Sequence, residues 1–184
     1  MSAEQLIILD RDGVINRDRR DYVKTLEEWV PLPGSLEAIA ALSRAGYRVA
    51  IASNQSGIAR GIYSAAVVHA VHAEMQRRLA TLGCRAEVGL YFCPHQPEDD
   101  CRCRKPKPGL LMAIGESLDV SLTGVPMIGD ALRDIQAAQA VGARPFLVRT
   151  GHGFETLRQH GPLPGVDVFD DLLAFTRDWL SRGN

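Results

Sequence analysis

The chain has 184 residues, 46% of them hydrophobic and 23% charged, with a formal net charge of −1. That length and apolar content suit one domain, residues 1–184, with its own core. The balanced charge and 6% aromatic content argue against the basic groove or stacking stripe of a nucleic-acid binder, no apolar run nears the roughly 18 residues of a membrane helix, and "MSAEQ" lacks the basic-then-apolar pattern of a signal segment; a cytoplasmic monomer without nucleic-acid or membrane partners is expected.

Strand-length apolar runs alternate with helical spacing along the chain. "LIIL" (6–9) reads as a buried strand, "SLEAIAALSRAG" (35–46) as a helix from a serine cap to a glycine, and "RVAIAS" (48–53) as a second strand. A long helix over 64–83 leads to a third strand over 87–93, and a polar loop rich in Pro, Asp, Cys and Arg fills 94–107. A helix over 108–118 with proline in its first turn, a strand over 125–129, a helix over 131–142 and a strand over 144–149 follow. A weak strand at 166–169 and an aspartate-capped helix over 170–180 close the chain. Strict alternation implies an α/β fold with a doubly wound parallel sheet, Rossmann-like, whose strand C-terminal ends share one ligand-binding edge.

The chemistry falls at that edge. Asp10 ends the first strand and Asp12 follows two residues on, so extended backbone aims both the same way, and Gly13 permits a sharp turn. Two like charges that close need a cation, and carboxylate oxygens suit Mg²⁺, with Asp130 after the fourth strand completing the set and Asp134 one helical turn on. Singly, each aspartate could cap a turn or helix; their joint placement beside glycines at strand ends favours a metal site. Ser53, in "IASNQSG", offers a hydroxyl and backbone N–H groups to an anion, or merely enters a helix. Lys105, in "CRKPKPG", is a cation held between prolines, or a solvated basic loop.

Cys93, His95, Cys101 and Cys103 lie in "CPHQPEDDCRC", and three thiolates with one imidazole make a closed tetrahedral set for structural Zn²⁺. Cys84 lies outside that cluster. A zinc loop over 93–107 would pin the segment that carries Arg104 and Lys105.

"DRDGVIN", "SNQSG", "RKPKPG" and "MIGDALRD" occur in the order and spacing of the four motifs of the haloacid dehalogenase-like phosphatases, a resemblance covering roughly residues 6–150. It implies Asp10 as nucleophile, Asp12 as acid and base, Ser53 and Lys105 as holders of the phosphoryl oxygens, and Mg²⁺ bound by Asp10, Asp130 and the Asp12 carbonyl. The cysteine–histidine loop before "RKP" resembles the family's zinc-containing subgroup. The substrates there are a bisphosphorylated heptose, D-glycero-D-manno-heptose 1,7-bisphosphate, which loses its 7-phosphate on the way to ADP- or GDP-heptose for lipopolysaccharide core, or histidinol phosphate. By resemblance, substrate contacts come from Asp18, Arg19 and Tyr22, from Ser53, Asn54, Gln55 and Ser56, and from Arg104 and Lys105.

Three features depart from the subgroup: a longer "DRRDYV" loop, a short stretch between His95 and Cys101, and Ala131 where a lysine is common. The basic residues Arg17, Arg19, Arg20 and Arg104 favour a second anionic group on the substrate over an amine. About 25 residues separate Asp10 from the first helix, too few for a folded cap, so the site is expected to be open. His69 and His72 are expected on a helix face without function, and His152 lies near the active edge.

Overall fold

Leu6–Leu9 is buried on both sides, and its alternate residues face two different cores. The computed structural model describes residues 5–19 and 21–183. Ile7 and Leu9 of β1 (Leu6–Leu9) pack with Ile39 and Leu42 of α1 (Ser35–Arg44), Met75 and Leu79 of α2 (Ala65–Thr81), and Phe175 and Trp179 of α6 (Leu172–Ser181). Leu6 and Ile8 join Leu111 and Ile114 of α3 (Gly109–Leu118) and Ala137 and Ala138 of α4 (Leu132–Ala140) on the opposite face. A strand covered on both faces must be apolar throughout, which is why this run does not alternate.

The remaining strands are β2 (Arg48–Asn54), β3 (Gly89–Cys93), β4 (Pro126–Gly129), β5 (Arg144–Val148) and β6 (Asp167–Phe169). All pairings are parallel, in the order β3-β2-β1-β4-β5-β6. The chain winds outward from β1 to β3, then returns to place β4 on the other side of β1 and winds outward again. The reversal point lies between β1 and β4, where the crossovers diverge and leave a crevice at the strand ends. Asp10 and Asp130 are the residues that follow those two strands.

Two sequence expectations are corrected. Ser35 does not cap α1; Gly34 occupies that position at φ 77°, and the Ser35 hydroxyl instead donates to the Ile15 carbonyl at 2.6 Å, tying the helix to the loop after β1. A helix at Gly153–His160, α5, was absent from the sequence reading. It is eight residues long, its buried residues are Gly153 and Thr156, and its Phe154 is 68% exposed, so it buries no large apolar side chain. Asp171 does cap α6, accepting from the Ala174 N–H at 2.7 Å.

No additional folded unit covers the edge among the described residues. The stretch from β1 to α1 holds only isolated bridges of Asn16 with Asp12 and Pro31. Between β2 and α3 lie α2, β3 and a short turn of 3₁₀ helix at Pro97–Asp99. No helix in the described residues is long and apolar enough to cross a membrane.

Candidate active site

Asp10 is buried, and its Oδ1 accepts the Arg11 N–H at 2.8 Å. The same oxygen lies 3.1 Å from Lys105 Nζ. Lys105 is a fully buried side chain beneath the cleft floor, 2.7 Å from Asp134 Oδ1 and donating to the Ala52 carbonyl at 2.6 Å. Burial opposes its charge, but Asp10 and Asp134 outweigh that and hold it above the usual lysine range. The Asn54 amide fixes the approach, donating to the Lys105 carbonyl at 3.0 Å and accepting its N–H at 3.1 Å.

Asp130 is buried where three segments meet. The His152 N–H donates to its Oδ2 at 2.8 Å, and the Thr156 hydroxyl donates to its backbone carbonyl at 3.1 Å. Gly13 and Gly151 flank it at φ 84° and 57°, and a Cβ on either would lie about 2 Å from Asp130 Oδ2. The turn predicted at Gly13 therefore serves the acidic cluster as much as the chain reversal. Asp130 Oδ1 faces inward with no hydrogen bond. Ligand oxygens of Asp10, Asp130 and Asp134 lie within 4.8 Å of one another. Burial pushes the Asp130 carboxyl well above its usual range, with Asp134 and Asp10 adding to the rise, and pushes Asp10 up to about 6 despite Lys105. An orphaned carboxylate oxygen within an all-oxygen set short of positive charge fits Mg²⁺.

Asp12 stands apart from that cluster, and its side chain is turned to another set of partners. Arg11 Nη2 reaches both of its oxygens at 2.9 Å, Asn16 Nδ2 donates to Oδ1 at 2.8 Å, and Gln55 Nε2 donates to Oδ2 at 2.8 Å. Burial works to raise its carboxyl, but Arg11 and these hydrogen bonds hold it below the usual range. Gln55 also donates to Ser53 Oγ at 2.7 Å, and its carbonyl oxygen accepts the Tyr63 hydroxyl at 2.7 Å. Burial pushes the Tyr63 phenol up to about 12, so it stays a donor. That bond fixes which end of the Gln55 amide faces Asp12.

Above this floor lies a cleft of about 390 Å³. Asp10, Asp12, Ser53, Asn54, Gln55 and Ser56 line it from below, with Asp18, Arg19, Tyr22, Arg104, Arg133 and His152 around the rim. His152 Nε2 meets Asp18 Oδ2 at 2.6 Å, joining two loops across the rim.

Beside the cleft, Cys93 Sγ, His95 Nδ1, Cys101 Sγ and Cys103 Sγ gather with separations of 3.2–3.6 Å. All four cysteines of the chain are free. Tetrahedral ligands at about 2.3 Å from zinc sit roughly 3.7 Å apart, so the cluster fits that ion with slight expansion. Arg104 Nη1 donates to the His95 carbonyl at 3.1 Å, coupling the metal loop to the rim.

A family model described as HAD-hydrolase-like matches residues 102–175. A "D-glycero-beta-D-manno-heptose-1,7-bisphosphate 7-phosphatase" of Pseudomonas aeruginosa is 55% identical over 94% of this chain and 96% of its own. The chain belongs to the haloacid dehalogenase-like phosphatases. A similarly named relative from Bordetella bronchiseptica is 49% identical over 97% of this chain and 99% of its own. A crystal structure of the D,D-heptose 1,7-bisphosphate phosphatase of that species, with magnesium and phosphate, superposes with TM-score 0.92 at 48% identity, covering 97% of this chain and 99% of the other. A Burkholderia thailandensis D,D-heptose 1,7-bisphosphate phosphatase gives 0.75 at 43% identity, covering 97% and 99%.

In this phosphatase the predicted motif residues converge on one edge, and the substrate-loop residues Asp18, Arg19, Tyr22 and Arg104 line one cleft. The basic rim differs from expectation. Arg17 is exposed and does not line the cleft, Arg19 is bonded through Nε to Asp21 at 3.2 Å, and Arg20 lies outside the described residues. Tyr63 and Arg133 were missed. Tyr63 follows "GI" with no periodicity to mark it. Arg133 carried one signal, a cation in the first turn of α4, where the helix dipole disfavours it.

Proposed function

We propose that the chain is one phosphatase domain that removes the 7-phosphate of D-glycero-β-D-manno-heptose 1,7-bisphosphate, in the cytoplasm, as a step toward nucleotide-activated heptose. The observation that carries the reading is the buried set of Asp10, Asp130, Asp134 and Lys105 at the sheet's reversal point. The substrate follows from the relatives' names at 49–55% identity over nearly the whole chain.

Asp10 attacks phosphorus through the oxygen not engaged by the Arg11 N–H. An acyl phosphate forms at Asp10 and the bond to the sugar oxygen breaks. Asp12 gives the leaving alkoxide a proton, then takes one from the water that hydrolyses the intermediate. To do so it must arrive protonated, which requires partial release from Arg11, because Arg11 favours the carboxylate. Ser53 Oγ and Lys105 orient the phosphoryl oxygens. Asp10, Asp130 and the Asp12 carbonyl would hold Mg²⁺, which when bound supplies charge neutralisation for the phosphoryl group. Asp134 fixes Lys105 from the other side at 2.7 Å. Zinc on Cys93, His95, Cys101 and Cys103 would be structural, with no open position.

Asp10→Asn should abolish turnover while the fold melts normally; retained activity would exclude Asp10 as nucleophile. Comparing kcat/KM for both heptose bisphosphate anomers with histidinol phosphate tests the substrate. The β-bisphosphate should lead by at least tenfold, and a lead for histidinol phosphate overturns the assignment.

A further inference from the structure

Gln55 is expected from the sequence to touch substrate, yet every polar group it carries has a partner inside the protein. The residue is 2% exposed. An amide side chain has two N–H donors and an oxygen with two lone pairs. The donors go to Asp12 Oδ2 at 2.8 Å and to Ser53 Oγ at 2.7 Å. The oxygen accepts the Tyr63 hydroxyl at 2.7 Å and Arg11 Nη2 at 3.3 Å. The backbone N–H donates to the Cys93 carbonyl at 2.7 Å, and the backbone carbonyl accepts from Ile58 at 3.2 Å.

The amide cannot be turned over. Reversed, it would set N–H groups against the Arg11 guanidinium and its oxygen against the Asp12 carboxylate. Tyr63 remains a donor, because burial pushes its phenol up to about 12. The consequence falls on Ser53. Its hydroxyl has one proton, and its oxygen already accepts from Gln55, its one hydrogen-bond partner among the described residues. Ser53 lines the cleft floor, so the proton is left for a group that enters the cleft. Asp12 depends on Gln55 less, because Arg11 and Asn16 hold it as well.

We infer that Gln55 is a positioning residue: it fixes the direction of the Ser53 hydroxyl, so that Ser53 donates its proton to a phosphoryl oxygen. This rests on the reading of the cleft as a phosphatase site. A Ser53 free to donate back into the protein would meet the phosphate with its lone pairs, acceptor against anion.

The test compares wild type, Gln55→Glu and Gln55→Met on heptose bisphosphate and on p-nitrophenyl phosphate. Gln55→Glu keeps the shape of the side chain but puts an oxygen in place of Nε2. Ionised, that oxygen draws the Ser53 proton to itself; protonated, it has one proton for two acceptors. Gln55→Met takes no proton from Ser53. Loss of kcat/KM should be about tenfold in Gln55→Met and about hundredfold or more in Gln55→Glu, the range of one lost and one reversed hydrogen bond to a charged group. Both esters should lose alike, because they present the same phosphoryl group, and inhibition by inorganic phosphate should weaken in the same order. In Ser53→Ala protein, Gln55→Met should remove less than about threefold further, as expected of two residues acting as one unit. A loss confined to heptose bisphosphate overturns the inference and makes Gln55 a sugar contact. A Gln55→Met loss that persists in full beside Ser53→Ala overturns it, as does a Gln55→Met protein weaker than Gln55→Glu, the order expected if Gln55 only fills space. If Gln55→Glu does not fold, the ester comparison and the Ser53→Ala pairing decide with Gln55→Met alone. Wild-type protein that turns over neither ester overturns the phosphatase reading itself.

Discussion

Replacing Lys105 by methionine keeps the unbranched side chain as far as its ε carbon and removes the terminal ammonium. Three buried carboxylates, with oxygens within 4.8 Å of one another, are then left without their ammonium. The Ala52 carbonyl loses its 2.6 Å donor as well. Breaking a buried ion pair from one side costs about 3–5 kcal/mol. For a chain of this size that lowers Tm by roughly 6–20 °C, at about 2–4 °C per kcal/mol. The melt should be run at mildly alkaline pH, where the carboxylates cannot escape by taking up protons, and without added magnesium. Magnesium should then raise the variant's Tm more than the wild type's, because the cluster it enters is more negative. Phosphatase activity should fall by about 10²–10³ or more, the loss typical of a charge-stabilising donor. A drop in Tm of less than about 3 °C, or an equal magnesium increment in both proteins, would refute the view that Lys105 neutralises this cluster.

Purified protein should carry one zinc per chain by elemental analysis, and Cys101→Ser should lower both zinc content and Tm; full-length protein free of zinc would remove the metal role of Cys93, His95, Cys101 and Cys103. Tyr63→Phe leaves the Gln55 carbonyl oxygen with only a long 3.3 Å bond from Arg11. Losing such a bond is worth about 1 kcal/mol, so kcat should fall by less than about tenfold with KM nearly unmoved. A hundredfold loss in steady-state kinetics would mean that Tyr63 touches the reacting groups.

The sheet and the motif residues were legible because each leaves a local mark: an apolar run, then a carboxylate or hydroxyl, then a glycine. The metal loop was legible because thiols and imidazole cluster within eleven residues of sequence. What stayed hidden depends on packing across distance. Helix α5 is eight residues long and buries no large apolar side chain, yet its cap residue places the His152 N–H on Asp130, 22 residues back. Extended spacing put Asp10 and Asp12 on one side. Their side chains nonetheless take different partners, because Arg11 and Asn16 draw Asp12 away from Lys105. Asn54, expected to meet substrate, lines the cleft while both ends of its amide engage the Lys105 backbone.

Those two bonds from Asn54 join residues 51 positions apart in the chain. They close α2, β3 and the metal loop into a ring whose clasp sits at the catalytic edge. Lys105 is thereby held to the end of β2 directly, and not only through the 51 positions of chain that run between them.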